Sequence, residues 1–176
     1  MTKKITKNFA VHNARQFVES IDEQSNSIYY VFGGRHITWP DENNPPEITD
    51  SLEDTYYQLY RDMMFGKKVG PSDMKHMIEN NAWDTSGNTI YSKYDNRADT
   101  LTNFFVVTVN GAKHDVFKCL DNNKGSKSTV KPTFVSGMED DEVYITTADG
   151  YQWKFMYQIS SAEYAKFATT SKVPVI

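Results

Sequence analysis

The residues of this chain best suited to catalysis or metal binding are four histidines and one cysteine: His12, His36, His76, His114 and Cys119. The histidines are scattered, and none forms an H-x-x-x-H or H-E-x-x-H pair with two ligands on one helix face. Lone histidines usually have surface or hydrogen-bonded structural roles. The cysteine lies in the apolar stretch VFKCL, where a thiol behaves as a small buried hydrophobe. We therefore predict no catalytic residue and no metal ligand among these five.

Two short motifs could bind ions, but each lacks part of the required pattern. The acidic run EDDE at residues 139–142 does not have the D-x-D-x-D-G order of a calcium loop. Gly33 and Gly34 precede Arg35, yet a phosphate-binding loop needs a longer Gly-rich pattern that opens a helix. We interpret the first motif as a solvated turn and the second as part of a strand. No metal and no cofactor is predicted.

Two further features could form a ligand surface. One polar loop carries three lysines and could contact nucleic acid or a glycan. Three dispersed lysines, however, give only weak electrostatic attraction for such a ligand. These lysines are Lys124, Lys127 and Lys131. In a later segment Trp153, Phe155 and Tyr157 alternate along one predicted strand and could line a sugar-binding groove. Because they share one face, we favour a role in the core.

Composition indicates one ordinary soluble domain over residues 1–176, with no nucleic-acid or membrane partner. The chain is 39% hydrophobic and 24% charged, enough to bury a substantial core. Its 19 basic and 23 acidic residues give a net charge of -4, which argues against binding to phosphates. A single cysteine allows no internal disulfide, and no apolar run approaches the roughly 20 residues of a membrane helix. The aromatic content of 14% favours an assembly surface.

Hydrophobic periodicity predicts a helix and then a strand at the start of the chain. Between positions 8 and 21, apolar residues recur at helical spacing and indicate an amphipathic helix. They are Ala10, Ala14, Phe17, Val18 and Ile21. Residues 28–32 (IYYVF) favour a strand with a bulge or bend at Gly33 and Gly34. Residues 39–50, with three prolines and four acids, are predicted to form an exposed loop.

A second helix is predicted next, packed on the body of the protein. Its apolar face follows the i, i+4, i+7, i+8, i+11 pattern. The face consists of Leu52, Tyr56, Leu59, Tyr60 and Met63. Gly66 can end this helix. For residues 67–82 the sequence allows two interpretations: a short strand with a loop, or a short helix that begins at Pro71 and Ser72.

The next segment predicts a hairpin. Residues 83–102 are polar and indicate a loop, whereas residues 104–109 (FFVVTV) are β-branched and aromatic. Asn110 and Gly111 are the preferred pair for a two-residue hairpin turn. The return strand is expected at residues 116–120.

The last third predicts two more strands and a helix. Residues 143–147 (VYITT) favour a strand, and Asp149-Gly150 turns the chain into residues 151–159 (YQWKFMYQI). Alternation in that segment indicates a half-buried strand. Residues 160–168 indicate a capped short helix. Together these elements predict an α+β fold: a β-rich body of antiparallel hairpins with a few packed amphipathic helices.

Three segments are expected to contact partners rather than the chain's own core. The loops at residues 39–50 and 121–133 are long and polar, and such loops are often functional. The ending VPVI is apolar, and an exposed apolar tail is costly unless it docks. It suggests a longer natural chain or a tail that docks on another molecule.

The order of the motifs resembles that of one family of phage proteins. The most specific stretches are VFKCLDNN at residues 116–123, KPT at 131–133 and DGYQWKFMYQI at 149–159. A weaker stretch is FGGRHITW at residues 32–39. In this order they resemble the N-terminal part of the baseplate wedge subunit of T-even-type contractile-tailed bacteriophages, a protein that sits as a dimer in each wedge. The resemblance spans nearly all of the chain, while the family's better-known members are longer.

This resemblance implies a structural protein of the virion, not an enzyme, with no catalytic site. Its implied partners are other baseplate wedge proteins and, as a further candidate, a second copy of itself. Its implied location is the tail baseplate, assembled in the host cytoplasm. The chain would be the N-terminal part or a short version of a longer wedge protein.

Two other functions remain as alternatives. A carbohydrate- or receptor-binding module of a phage tail would expose Trp39, Trp83 or Trp153 in a shallow groove near carboxylates. A small hydrolase, which we favour less, would bring histidine and carboxylate groups together in one pocket.

Overall fold

The computed structural model describes residues 6–23, 28–34, 38–44, 57, 60–96, 101–139 and 143–176. Backbone contacts divide the chain into two compact units, Met1–Met74 and Lys75–Ile176. The expectation of a single domain over residues 1–176 stays a prediction. The elements form the predicted α+β fold, with antiparallel pairing between all the described strands.

The first unit begins with the predicted amphipathic helix. Helix α1 spans Lys7–Asp22, and the hydroxyl of Thr6 caps it by accepting a hydrogen bond from the backbone N–H of Phe9 at 3.3 Å. At the other end, the backbone N–H of Glu23 donates to the carbonyl of Glu19. The predicted helix is therefore confirmed and extends one residue further at each end.

A two-stranded antiparallel sheet follows in the same unit. Strand β1 spans Tyr29–Gly34 and pairs with β2, Met63–Val69. Residues 35–62 separate the two strands, so the name β1–β2 hairpin refers only to their antiparallel pairing. The register shifts between Gly33 and Gly34, which confirms the bulge predicted there. This hairpin is the whole of its sheet within the described residues.

The predicted second helix is partly wrong. Tyr60 is helical, but its side chain is 74% exposed although it was assigned to the apolar face. Met63 and Gly66, expected in the last turn and the cap, lie in β2. They do so because β2 pairs residue by residue with β1, and this long-range pairing overrides the local helical period. The other positions of the predicted face, Leu52, Tyr56 and Leu59, lie outside the described residues.

The ambiguous segment at residues 67–82 resolves mainly into strand and loop. After β2 a single 3-10 turn covers Pro71–Asp73, and β3 spans Met77–Glu79. Pro71 opens that turn because its fixed φ suits a first helical position and its missing N–H is not needed there. Both alternatives are therefore met in part, since a short helix of the 3-10 type begins at Pro71 and a short strand follows it.

The second unit is built on a four-stranded antiparallel sheet in the order β4-β5-β7-β6. Its strands are β4 (Phe105–Asn110), β5 (Lys113–Asn122), β6 (Ile145–Thr146) and β7 (Tyr151–Ile159). Helix α2 (Ser161–Phe167) follows β7, and its N-cap Ser160 accepts a hydrogen bond from the N–H of Glu163. The predicted strands and the capped helix are therefore confirmed, although β6 is shorter than expected.

The four-stranded sheet is covered on both faces. Val106 and Val107 are neighbours on β4 but belong to two different buried clusters, as the period of two in a strand requires. One cluster contains Phe117 and Trp153, and the other contains Val116 and Ile159 on the opposite face. Trp153 and Phe155 therefore lie in the core, as favoured, and not in a sugar-binding groove. Tyr157, predicted on the same face, packs instead against the other cluster, because the pairing of β5 with β7 shifts register between Val116 and Phe117.

The hairpin turn between β4 and β5 differs from the prediction. Asn110 pairs with Lys113 as the last residue of β4, so the two turn residues are Gly111 and Ala112. Gly111 has a φ of 59°, whereas Ala112 has a negative φ. This is the type II′ arrangement, which places glycine first, rather than the type I′ turn that Asn-Gly favours.

The apolar ending is docked within its own unit. Strand β8 spans Lys172–Pro174 and pairs with β3, and Val173 and Pro174 are buried. Next along the chain, the N–H of Val175 donates to the carbonyl of His76 at 2.8 Å. The expectation that this ending docks on another molecule is therefore wrong for its buried residues, because β3 already supplies their partner.

Candidate interaction surface

The β1–β2 hairpin exposes apolar side chains that a strand in a folded body would usually bury. The exposed residues are Tyr30, Val31, Phe32, Met64 and Phe65. They include consecutive positions on both strands, and consecutive residues of a strand point to opposite faces. Apolar side chains are therefore exposed on both faces of the hairpin, and contiguous apolar exposure of this kind indicates an interaction surface.

Two glycines shape this surface. A Cβ at Gly33 would overlap the ring of Phe65, so the absence of a side chain lets that ring lie across β1. At Gly34 a Cβ would lie 2.8 Å from the backbone carbonyl oxygen of Asp62, so here glycine permits the close approach of the two strands. The Gly-Gly pair thus positions Phe65 and serves no phosphate cradle.

A groove of about 310 Å³ lies between α1 and the hairpin, entirely within the first unit. Its apolar lining includes Phe17, Ile21, Tyr29, Val31, Val69 and Met74. The edge of the Phe17 ring faces Tyr29, with ring centroids 5.9 Å apart. An engineered cavity of roughly 150 Å³ can hold benzene, so this groove has room for a large side chain.

The two charged residues that line the groove, Lys67 and Asp73, form an ion pair with each other. The Nζ of Lys67 lies 2.7 Å from Oδ1 of Asp73, and Oδ2 of Asp73 accepts a hydrogen bond from the N–H of Gly70 at 3.1 Å. A paired cation and anion leave little net charge with which to attract an ion. The groove therefore favours an uncharged apolar group.

No family model and no curated protein matches this chain.

The predicted histidines do not come together. His12 and His76 are exposed, on α1 and before β3, and His36 lies outside the described residues. His114 stacks on Tyr164 with 3.5 Å between ring centroids. Among the described residues no cluster of three or more His, Cys, Asp or Glu side chains is placed to hold a metal ion.

Cys119 is a structural thiol in the core of the second unit. It is fully buried on β5, and its Sγ lies 3.4 Å from the carbonyl oxygen of Asp121, to which it donates. Burial raises the pKa of this thiol to about 12, and the nearby Asp121 carboxylate adds to the effect. The group is therefore protonated at neutral pH and is no nucleophile.

The acidic run and the Gly-Gly-Arg motif are only partly within the described residues. Glu139 accepts a hydrogen bond from the N–H of Gly137 at 2.9 Å, which is a local turn contact. Residues 140–142 and Arg35 lie outside the described residues.

The lysine loop at residues 121–133 is hydrogen-bonded to its own unit. The Nζ of Lys127 donates to Oδ1 of Asn88 at 3.0 Å, and the Nζ of Lys131 donates to the carbonyl of Val109 at 3.3 Å. The loop begins later than predicted, because β5 continues to Asn122 and a 3-10 turn follows at Asn123–Gly125. Two of its three lysines therefore contact the chain itself.

Asp149 organises this loop, and sequence reasoning assigned it only to a turn. Its Oδ2 accepts hydrogen bonds from the Ser128 hydroxyl and from the N–H groups of Thr129 and Val130. Its Oδ1 accepts from the Thr147 hydroxyl and the N–H of Tyr151. Partial burial acts to raise the pKa of Asp149, but the hydrogen bonds outweigh it and lower the pKa below its ordinary value.

The three tryptophans differ in exposure. Trp153 is fully buried and Trp83 is half-buried against the same core cluster. Trp39 is exposed, and its backbone N–H donates to Oε1 of Glu42 at 2.9 Å. The three therefore do not form one exposed aromatic strip. None of the helices in the described part has the length and apolar character needed to span a membrane.

Proposed function

We propose that this chain is a structural subunit of the baseplate wedge of a contractile-tailed bacteriophage and works through protein contacts. The observation that carries the proposal is the β1–β2 hairpin, whose apolar residues are exposed on both faces. A two-stranded hairpin is marginally stable by itself, and more packing stabilises it. A partner that covers this hairpin supplies that packing.

The well-packed second unit supports the same proposal. Two of the three most specific stretches of the resemblance, at residues 116–123 and 149–159, fall largely on β5 and β7, which are adjacent central strands of the four-stranded sheet. Their inward residues include Phe117, Cys119 and Trp153, all fully buried. Motifs whose residues form a buried core indicate a structural role rather than a catalytic site.

The groove beside α1 suits the anchor of a protein partner. Its apolar lining and the closed Lys67–Asp73 pair favour one uncharged apolar side chain, and buried aromatic anchors dominate the binding energy of many interfaces. Among the described residues that line this groove there is no histidine, and Asp73 is the one acid. This composition fits an anchor pocket better than the pocket of a hydrolase.

The proposed partners are other wedge proteins, with a second copy of this chain as a further candidate. The proposed location is the tail baseplate of the virion, assembled in the host cytoplasm. The net charge of -4 gives no electrostatic attraction to nucleic acid or to anionic membranes.

A cryo-electron-microscopy map of gradient-purified particles of the phage that encodes the chain tests this proposal. We expect the chain in the baseplate, with Tyr30, Phe32 and Phe65 buried against a neighbouring protein. Absence of the chain from the particle, or a hairpin that faces solvent in the particle, would overturn the proposal.

A complementation experiment tests the surface directly with a matched pair of exposed valines. Val31 on β1 is 55% exposed and Val135 in the second unit is 60% exposed. We expect Val31→Asp to reduce incorporation into particles at least tenfold, about 1.4 kcal/mol of binding, and Val135→Asp to leave it unchanged. Equal incorporation of the two variants would place the interface elsewhere.

A further inference from the structure

The turn between β4 and β5 contains the only Asn-Gly pair of the chain, Asn110-Gly111. Both residues are exposed, and no atom lies within 4 Å of the position that a Cβ of Gly111 would occupy. A glycine after asparagine leaves its backbone nitrogen unshielded by a side chain. This is the arrangement in which asparagine reacts most readily with the following peptide nitrogen.

The side chain of Asn110 is hydrogen-bonded to a buried acid. Its Nδ2 donates to Oδ2 of Asp115 at 2.8 Å, and Nε2 of Gln158 donates to Oδ1 of the same carboxyl group at 2.6 Å. Asp115 is fully buried, although Asn110 at its side is exposed. The Asp115 carboxyl group therefore accepts hydrogen bonds from two neutral side-chain amides, and the amide of Asn110 lies at the surface.

We propose that Asn110 is a site of spontaneous deamidation, and that its conversion places a second carboxylate against Asp115. In this reaction the deprotonated backbone nitrogen of Gly111 attacks Cγ of Asn110, and a cyclic imide forms. The Cγ–Nδ2 bond breaks, and the nitrogen leaves as ammonia with the proton. Water then opens the ring at either carbonyl, which yields aspartate or isoaspartate without any oxidant or reductant.

Either product disturbs the end of the hairpin. Aspartate replaces a hydrogen-bond donor with an acceptor beside Asp115, and two carboxylates in contact at the edge of a buried site are unfavourable. Isoaspartate adds a methylene to the main chain at Asn110, where the pairing with Lys113 defines a two-residue turn. The modification therefore loosens the β4–β5 end as the protein ages.

The other acid-or-amide pair with glycine in a turn, Asp149-Gly150, is protected. Five hydrogen bonds hold both carboxylate oxygens of Asp149, so Cγ cannot turn toward the nitrogen of Gly150 without breaking them. In contrast, the Asn110 side chain is held by its hydrogen bond to Asp115, through Nδ2, which leaves the amide oxygen outside that bond. The structure thus assigns the reactivity to Asn110.

Incubation of the intact chain in mildly alkaline buffer, followed by peptide mapping with mass spectrometry, tests the reaction. We expect Asn110 to be the first asparagine to convert, with aspartate and isoaspartate both at this position. Asn110→Gln retains the amide, and we expect no conversion at residue 110 in that variant. Earlier conversion at other asparagines, while Asn110 stays intact, would overturn the proposal.

The consequence is tested with product mimics in thermal unfolding. We expect Asn110→Asp to lower Tm by about 4 °C, since a cost near 1 kcal/mol shifts Tm by a few degrees in a chain of this size. Asn110→Ala removes the donor without adding charge, and its Tm should fall less. The double variant Asn110→Asp with Asp115→Asn restores an amide–carboxylate pair and should recover most of the loss. An unchanged Tm in Asn110→Asp, or a loss as large in Asn110→Ala, would show that the like-charge contact does not form.

Discussion

Two strands of similar composition, β1 and β4, have different environments. β1 (YYVFGG) is largely exposed, whereas Val106, Val107 and Thr108 in β4 (FVVTVN) are buried. Both are aromatic and β-branched, so strand propensity does not separate them. The difference comes from what covers each strand, because residues of β5, β7 and β8 pack around β4. Burial is thus a property of the assembled layers rather than of the strand alone.

This contrast separates a scaffold from a contact surface. The four-stranded sheet and the segments packed on it bury most of its aromatic residues, whereas the hairpin presents most of its aromatic residues to solvent. A subunit of an assembly needs both, since rigid bodies keep interfaces in a defined geometry. The two regions should therefore respond differently to the same substitution.

The largest expected difference is between two phenylalanines truncated to alanine. Phe155 on β7 is 8% exposed and packs between Phe117 and Phe134, so Phe155→Ala should cost on the order of 3 kcal/mol because it leaves a cavity. Phe65 on β2 is 63% exposed, and Phe65→Ala should cost under about 0.5 kcal/mol. Chemical denaturation of the two variants measures this difference.

A neighbouring residue on β7 controls for the strand itself. Lys154→Ala should cost under about 0.5 kcal/mol, as a change outside the core. Similar midpoints for Phe155→Ala and Lys154→Ala would contradict the assignment of the buried face.

The strands of the second unit could largely be predicted from the sequence because local patterns, the alternation of apolar residues and the turn residues, indicate them. β7 was expected at residues 151–159, since period-2 alternation begins directly after the Asp149-Gly150 turn, and the structure has the same bounds. By contrast, β2 was assigned to the end of a helix. Its strand state depends on pairing with β1, about thirty residues earlier, and such long-range pairing leaves little trace in local periodicity.

The candidate surface could be predicted only in general terms. Aromatic content favoured an assembly surface, but β1 was expected to be an ordinary strand and the start of β2 to be the end of a helix. The loop at residues 121–133 was expected to be a contact segment. The loop instead bonds to Asp149, about twenty residues later, through Ser128, Thr129 and Val130. Nothing in the local sequence of the loop indicates those acceptors.

The second-largest effect is expected at Asp149. Asp149→Ala removes the acceptor for five hydrogen bonds, and we expect a loss of about 2 kcal/mol, since donors on the buried residues Ser128 and Tyr151 lose their partner. Hydrogen exchange should speed up at the amides of Thr129 and Val130 and stay unchanged in the hairpin of the first unit. Asp149→Asn keeps one acceptor oxygen and should lose less. Unchanged exchange at Thr129 and Val130 in Asp149→Ala would contradict the role of this carboxylate.

The same carboxylate gives a pH dependence with a defined sign. The folded-state pKa of Asp149 lies below its ordinary value of 3.8, so its ionised form stabilises the folded state. This stabilisation is present above pH 3.8 and is lost as the pH falls from that value through the folded pKa. Asp149→Asn should therefore show a shallower loss of Tm in this acid range than the parent chain.

A smaller effect on stability is expected from Gly33→Ala in the hairpin. The new Cβ must displace the ring of Phe65, which can move because it is exposed, so we expect a cost below about 1 kcal/mol. Incorporation into particles should nevertheless fall, because the Phe65 ring no longer lies across β1. Gly66→Ala is the matched control, since its Cβ would make an ordinary contact at 3.6 Å with Sδ of Met63. If both variants enter particles equally well, the position of the Phe65 ring is irrelevant to assembly.

The smallest expected effect is a pH dependence at His114, in the well-packed unit. Burial lowers its pKa, the Asp115 charge opposes this in part, and its buried Nδ1 has no hydrogen-bond partner among the described residues. Protonation therefore favours the unfolded chain, whose histidine has the ordinary pKa of 6.5. Stability from this group is complete above pH 6.5 and is lost as the pH falls through 6.5 toward the folded pKa. His114→Phe keeps an aromatic ring stacked on Tyr164 but cannot titrate, so its Tm should fall less than that of the parent chain over this range. An identical slope in the two proteins would mean that His114 is no more difficult to protonate in the folded chain than in the unfolded one.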